Sequence, residues 1–128
     1  MVSLVSSGIR VSVETFYQQE YSNPLNKEYV FAYKIVLHNN NPFPVKLISR
    51  HWNIHDADAV HTEVEGSGVV GVQPIIGPDK SYQYVSGCDL QSEIGKMSGA
   101  YVFEDIQQKK YFEVKIPVFL LVAPFKLN

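Results

Sequence analysis

Three glycines, Gly66, Gly68 and Gly71, stand near the middle of the chain in the spacing G-x-G-x-x-G. In dinucleotide-binding proteins this spacing follows a strand and opens a helix, whose first amides hold a pyrophosphate. A strand before the glycines is expected here. A helix after them is not, because the following segment is rich in valine and contains Pro74 and Pro78. A P-loop is also excluded, since no Gly-Lys-Ser/Thr sequence follows.

Two interpretations of the glycine segment remain. The first is an anion site built from successive backbone amides, with Arg50 or Lys80 supplying positive charge. The second is geometric: glycines allow a positive φ or a bulge where the chain turns between sheets. We favour the second, because Glu63 and Glu65 lie just upstream and the loop has no Lys or Arg. The candidate ligand-binding residues of the first are Gly66, Ser67, Gly68, Gly71 and Arg50.

Three histidines, His51, His55 and His61, suggest a metal site at first sight. On a strand, His51 and His55 share a face but lie about 13 Å apart at ~3.3 Å per residue. Metal–nitrogen bonds of about 2 Å cannot span that distance. The expected hairpin places Arg50 opposite Glu65 and Ile54 opposite His61, which turns His61 to the other face.

Asp56 and Asp58 lie at the turn of that hairpin, where they could form a weak site for a hard cation. Two carboxylates do not supply the six or more oxygens that Ca²⁺ takes. Ordinary turn chemistry accounts for both residues. We therefore predict no bound metal and no cofactor.

Nucleophile motifs are absent from the sequence. Ser49 and Ser86 lack the G-x-S-x-G context of a nucleophile elbow. Cys88 is followed by Asp89, whose negative charge disfavours a thiolate. The sequence therefore predicts no catalytic residues and a protein that is not an enzyme.

Apolar residues alternate with polar ones along much of the chain, which indicates half-buried strands rather than helices. The second and third strands are expected to form a hairpin across the Pro-rich segment 39–44, and the last two another across 105–109. Pro117 inside the last strand indicates an edge position or a bulge. This pattern predicts an all-β fold, an immunoglobulin-like sandwich of two antiparallel sheets. The expected strands are 9–17, 28–39, 45–55, 60–65, 72–76, 81–85, 97–104 and 110–122.

Length and composition bound the function classes. The 128 residues are expected to form a single domain, 1–128. A net charge of -2 gives no basic surface for nucleic acid or anionic lipid. The N-terminus does not have the pattern of a signal peptide, and the longest apolar run, 118–123, is too short to span a membrane. We expect a cytoplasmic protein without membrane or nucleic-acid partners.

Several ordered segments are closely similar to the ApaG family: R-H-W at 50–52, G-x-G-V-V-G-x-Q-P at 66–74 and S-G-C at 86–88. The similarity extends over nearly the whole chain and implies a fibronectin type III-like sandwich. It also implies an association with cobalt resistance and magnesium efflux, and kinship with domains that act as protein-interaction modules. The family has no established catalytic residues, and its glycine segment has been linked with nucleotide or pyrophosphate binding.

The combined prediction is a non-enzymatic binding module for an unidentified protein partner. Its functional surface is expected around Ser49–Gly71 and Tyr84–Cys88, with Trp52 filling the sandwich core. Exposed edge strands also allow a homodimer. The alternative is a phosphate, pyrophosphate or nucleotide-binding protein that uses the segment Gly66–Gly71.

Overall fold

The computed structural model describes residues 1–57 and 61–124 of the chain, and most of its strands carry alternating apolar side chains. Two short 3-10 helices, Gln19–Tyr21 and Pro24–Asn26, lie in the connection between two strands. Within these residues no helix is long and apolar enough to cross a membrane. In chain order the strands are β1 (Val2–Ser6), β2 (Ile9–Tyr17), β3 (Tyr29–Asn39), β4 (Val45–Asp56), β5 (Thr62–Ser67), β6 (Ile75–Ile76), β7 (Ser81–Leu90), β8 (Ile94–Asp105) and β9 (Lys110–Val122).

Two antiparallel sheets pack face to face. The first has the strand order β1-β2-β3-β7, and the second has the order β5-β4-β8-β9 with the short β6 paired to β4. Apart from β1 and β6, this is the strand arrangement of a fibronectin type III-like sandwich. The predicted all-β sandwich of two antiparallel sheets is confirmed.

The core lies between the sheets and is rich in aromatic rings. Trp52 is only 3% exposed. Its ring centroid lies 5.4 Å from that of Tyr33, 5.8 Å from Phe119 and 6.4 Å from Tyr101. Tyr33 comes from the first sheet and the other three from the second, so this cluster joins the two layers. The prediction that Trp52 fills the core is confirmed.

The predicted hairpin between the second and third strands is wrong, because β3 and β4 belong to different sheets. The side chain of Asn39 explains the crossing. It is fully buried and donates to the carbonyls of Phe43 and Ile76, at 2.9 and 3.0 Å, while its oxygen accepts from the amide of Asn41. These bonds pair backbone groups of the loop that leads from one sheet to the other.

The last two strands form the expected hairpin, and β9 lies at the edge of its sheet. The register between β8 and β9 shifts where Met97 pairs with Phe119 and Gly99 pairs with Ile116, so Pro117 falls in a bulge. The predictions for this proline are therefore confirmed. Strand β1 was not predicted, and β7 extends five residues beyond the expected strand 81–85.

One side of the sandwich is closed by contacts between β1 and β9. Ser6 Oγ accepts a hydrogen bond from the amide of Lys115 at 2.8 Å, and Ser7 Oγ donates to the carbonyl of Glu113 at 3.0 Å. The edge strands of the other side are β5 and β7. The glycine segment follows β5 directly and therefore lies on this second side.

Candidate functional site

The glycine segment forms a tight hairpin, here called the glycine hairpin (residues 68–73). The amide of Val69 donates to the carbonyl of Val72 at 2.8 Å, and the amide of Val72 donates back at 3.0 Å. The two residues between them, Val70 and Gly71, have φ angles of 47° and 79°. Two central residues with positive φ define a type I′ turn. The geometric interpretation of the glycines agrees with this turn.

The amides at the base of the glycine hairpin already have partners. Gly68 donates to the carbonyl of Ile48 at 2.9 Å, and Val69 donates to Val72. Arg50 Nη1 donates to the carbonyls of Ser67 and Gly68, at 3.1 and 2.9 Å. The hairpin thus presents oxygen atoms to the arginine, and the Gly68 and Val69 amides are not directed toward an external anion.

Four of the predicted ligand-binding residues meet here: Arg50, Gly66, Ser67 and Gly68. Gly66 pairs with Arg50 across β4 and β5. A side chain at Gly66 would approach the guanidinium, since its Cβ would stand 2.7 Å from Nη1. Gly71 lies apart at the hairpin tip, where no heavy atom comes within 4 Å of a Cβ. Gly66 therefore provides room for Arg50, and Gly71 provides the turn.

Three buried tyrosines lie within the electrostatic reach of Arg50. The hydroxyls of Tyr84 and Tyr101 are 2.6 Å apart, and Tyr33 bonds to the side chain of Ser86. Burial raises the pKa of all three phenols, and the positive charge of Arg50 lowers each pKa by a smaller amount. The phenols therefore remain protonated at neutral pH. Sequence reasoning missed this cluster, although the inward alternation of its strands was the available signal.

The histidine arrangement corrects the predicted register. His51 pairs with Glu65, Arg50 with Gly66, and Ile54 with Thr62, one residue away from the expected partners. Because side chains alternate between faces, this shift brings His61 to the face of His55. The two imidazole rings stack in parallel with centroids 4.4 Å apart. The prediction that His61 points to the opposite face is wrong.

Carboxylates neighbour these histidines on the exposed face of β4 and β5. His51 Nδ1 lies 3.2 Å from Glu65 Oε1, and His61 Nε2 lies 4.0 Å from Glu63 Oε1. In residues 1–57 and 61–124, no three His, Cys, Asp or Glu side chains are grouped so that they could hold a metal ion. These contacts lie at the surface, where pairs of this kind stabilise a fold only slightly.

Asp56 has a structural role in the turn between β7 and β8. Its carboxylate accepts hydrogen bonds from the amide of Gln91, at 2.5 Å, and from the hydroxyl of Ser92. Its predicted cation-binding partner, Asp58, lies outside the described residues. Asp56 therefore supports a turn other than the one predicted for it at 56–59, which lies partly outside the described residues.

Cys88 is buried beneath the first sheet with 7% of its surface exposed. Burial raises the pKa of its thiol to about 11, and the nearby charges of Asp89 and Asp56 add to the increase. The thiol is therefore protonated at neutral pH, which is the opposite of an activated nucleophile.

Apolar side chains of the glycine hairpin and of the adjoining β6 are exposed. Val70 is 63% exposed, Val72 47% and Ile75 63%. We call these three residues the apolar tip. Val69, inside the glycine hairpin, is fully buried and anchors the loop to the core.

The fold and this hairpin define the protein as a fibronectin type III-like sandwich with an Arg50-braced glycine hairpin at one side. The sequence profile of the ApaG domain family, DUF525, matches residues 19–105. The chain belongs to the ApaG family.

Relatives with this domain match over almost their full length. The chain is 44% identical to Protein ApaG of Brucella canis over 124 residues, which are 97% of this chain and 95% of the relative. It is 42% identical to Protein ApaG of Rhizobium leguminosarum bv. trifolii over the same share of both chains.

Solved structures agree with the fold. A crystal structure from Bordetella pertussis, assigned as an ApaA protein, superposes with a TM-score of 0.87 at 42% identity and covers 91% of this chain and 94% of its own. An Archaeoglobus fulgidus protein superposes with a TM-score of 0.51 at 12% identity, covering 85% of this chain and 90% of its own, and this shows the fold alone.

Proposed function

We propose that the protein is a non-enzymatic protein-interaction module and that the apolar tip, Val70, Val72 and Ile75, is its contact surface. One observation carries the proposal: Val70, a β-branched residue, is held at φ 47° while its side chain is 63% exposed. A valine in the left-handed region is a rare backbone outlier, and such outliers cluster at functional sites.

The energetics of Val70 favour a partner. The left-handed conformation costs an L-residue about 1–2 kcal/mol, and Asn or Gly at this turn position would reduce that cost. An exposed valine gains almost nothing from packing within the fold. Burial of its side chain against a partner would contribute about 1.5–3 kcal/mol, enough to offset the strain. The benefit of a valine here therefore lies in binding.

The buried groups support a role without catalysis. The Cys88 thiol and the tyrosine hydroxyls around Arg50 are protonated and enclosed in the core, so none of them serves as an accessible nucleophile or base. In this proposal the protein acts in the cytoplasm without binding nucleic acid. Any contribution to cobalt resistance or magnesium efflux then passes through the bound protein and is indirect.

Replacing Val70 with asparagine is expected to raise stability while weakening partner binding. Asparagine tolerates positive φ and favours type I′ turns, so the free energy of unfolding should rise by about 0.5–1 kcal/mol. Partner binding should weaken at least about fivefold, because the apolar contact is lost. Urea denaturation measures the first effect.

Binding is measured by placing a photo-crosslinking amino acid at position 70 and, as a matched control, at Tyr111, which is 66% exposed on β9. We expect one crosslinked partner at 70 and none at 111, with competition by the unlabelled parent protein but not by Val70→Asn. The proposal fails if both positions give the same products, or if Val70→Asn competes as well as the parent.

Arg50 favours a second candidate function, binding of phosphate, pyrophosphate or a nucleotide. Arg50 is half-buried, and among the described residues no carboxylate lies within 4.0 Å of its guanidinium. A half-buried cation without a counter-charge attracts anions. The candidate ligand set remains Gly66, Ser67, Gly68, Gly71 and Arg50, with the Gly68 and Val69 amides already occupied.

Titration calorimetry with pyrophosphate and ATP tests this candidate. Saturable binding that is lost in Arg50→Gln and retained in the control Lys46→Gln would support it. Glutamine keeps an amide donor for the loop carbonyls but removes the charge. Binding that is unchanged in Arg50→Gln, or no binding below about 1 mM, would reject it.

A further inference from the structure

We propose that β7 is the seam of a homodimer, in which the β7 of a second copy pairs with it antiparallel around a two-fold axis at Val85. The resulting sheet would join the two copies of β1-β2-β3-β7 edge to edge. This inference rests on the outer edge of β7, with which no strand within residues 1–57 and 61–124 pairs, and not on the apolar tip.

Among the edge strands of the sandwich, β7 is the least protected. The edges of β1 and β9 are covered by each other through Ser6 and Lys115, and β9 also carries the bulge at Pro117. Strand β5 is only six residues long and carries two carboxylates. Strand β7 has ten residues with an unbroken register to β3, no proline, and one charged residue at its end, Asp89. A long regular edge of this kind is a template for pairing with another strand.

The hydrogen bonds between β3 and β7 show which backbone groups of β7 remain at its open edge. The amide of Asn39 donates to the carbonyl of Lys80 at 2.9 Å, in line with the β3–β7 register. On the other side of β3, the carbonyl of Val30 accepts from Gln18 of the β2 side. The backbone amides and carbonyls of odd-numbered β3 residues therefore point toward β7, and those of even-numbered β7 residues point toward β3. The odd-numbered residues of β7 direct their amides and carbonyls to the open side.

These outward residues are self-complementary. A two-fold axis at Val85 pairs Val85 with its own copy, Gln83 with Gly87, and Ser81 with Asp89. The backbone groups of each of these residues point to the open edge, so every pair can form the hydrogen bonds of a regular antiparallel ladder. The two Asp89 carboxylates lie at opposite ends, and no like charges face one another.

Val85 identifies a second copy as the occupant. It is 58% exposed, and the other outward residues of β7 are polar or glycine. On a two-fold axis the two valines would cover each other, since an isologous interface places the same residue on both sides. Backbone bonds would hold the strands, and this single apolar pair would set the register.

Substitution of Val85 by lysine tests the seam. Its matched control is Val118→Lys on β9, since Val118 is 59% exposed. Light scattering after gel filtration should give twice 14.5 kDa for the parent and for Val118→Lys. Val85→Lys places two positive charges on the axis and should weaken dimerisation more than about tenfold.

A parent protein that stays monomeric at up to about 1 mM would overturn the proposal. Equal behaviour of the two lysine variants would overturn it as well, because the dimer would then use another surface. The variant Val70→Asn should dimerise like the parent. A loss of dimer in Val70→Asn alone would place the contact at the apolar tip and contradict the β7 seam.

Cysteine pairs test the register. A mixture of Gln83→Cys and Gly87→Cys proteins should form a disulfide-linked dimer under mild oxidation, whereas each variant alone should not. Native Cys88 is buried and its thiol pKa is raised to about 11, so it does not compete. Cross-links in the separate variants, or none in the mixture, would contradict a two-fold axis at Val85.

Discussion

Replacing Gly68 with alanine is expected to lower the free energy of unfolding by about 3 kcal/mol or more. Gly68 has a φ of 59°, which an L-residue adopts at a cost of about 1–2 kcal/mol. The added Cβ would stand 2.0 Å from the carbonyl oxygen of Val72. Because that oxygen accepts the Val69 bond that closes the glycine hairpin, the clash and the hairpin cannot coexist.

Gly71→Ala is the matched control. Gly71 also has a positive φ, 79°, but a Cβ there meets no heavy atom within 4 Å. Its alanine variant should therefore lose only the conformational cost, about 1–2 kcal/mol. Urea denaturation followed by circular dichroism measures both losses. If both variants lost the same free energy of unfolding, the Val72 carbonyl would not lie close enough to Gly68 to clash with an added Cβ.

This comparison also bears on the anion-binding candidate. A substitution at Gly68 that abolishes binding would carry no information, since the loop itself would be distorted. Arg50→Gln changes the charge and leaves the glycines intact, so it separates the loss of a binding group from the loss of the hairpin.

Each strand was predicted as well as its residues alternate between buried and exposed. Strands β2 and β9 match the expected ranges 9–17 and 110–122, because each has one buried face and alternates accordingly. Strand β1 has almost no buried residues and leaves no alternation to detect. Strand β7 continues past Val85 because Cys88 and Leu90 still face the core, although Gly87 interrupts the polar face.

Pairings between strands were harder to predict, because they depend on contacts that are distant in sequence. The short Pro-rich segment between β3 and β4 resembles a hairpin loop, yet the buried Asn39 side chain binds it into a crossing between sheets. The hairpin register of β4 and β5 depends on whether the loop length is odd or even. One residue of error turned His61 to the wrong face.

The structure brings together four of the candidate ligand-binding residues, Arg50, Gly66, Ser67 and Gly68, but the polarity of the loop beside Arg50 was not predicted. The glycine spacing and Arg50 were both identified from the sequence. The direction of each backbone amide was not, and it decides whether a glycine loop binds an anion or a cation. Here the carbonyls of Ser67 and Gly68 receive the guanidinium. The strained Val70 could be recognised only once its φ was known.

Trp52→Ala is expected to lower the free energy of unfolding by about 3–5 kcal/mol, a large share of the about 5–15 kcal/mol typical of a domain. The indole contacts rings from both sheets, so its removal leaves a cavity between the layers and breaks edge-on contacts with Tyr33 and Phe119. Trp52→Phe keeps one ring and should lose less than the alanine variant. Because Trp52 is the only tryptophan, circular dichroism must replace fluorescence as the probe.

Tyr111→Ala controls for loss of an aromatic side chain at the surface, and its effect should stay within about 0.5 kcal/mol. A Trp52→Ala loss as small as this would mean that the indole does not join the sheets. The expected large loss also limits how Trp52 can serve binding. A buried ring reaches a partner only through the surface it supports, so weaker binding by Trp52→Ala must be compared with Val70→Asn, which leaves the core intact.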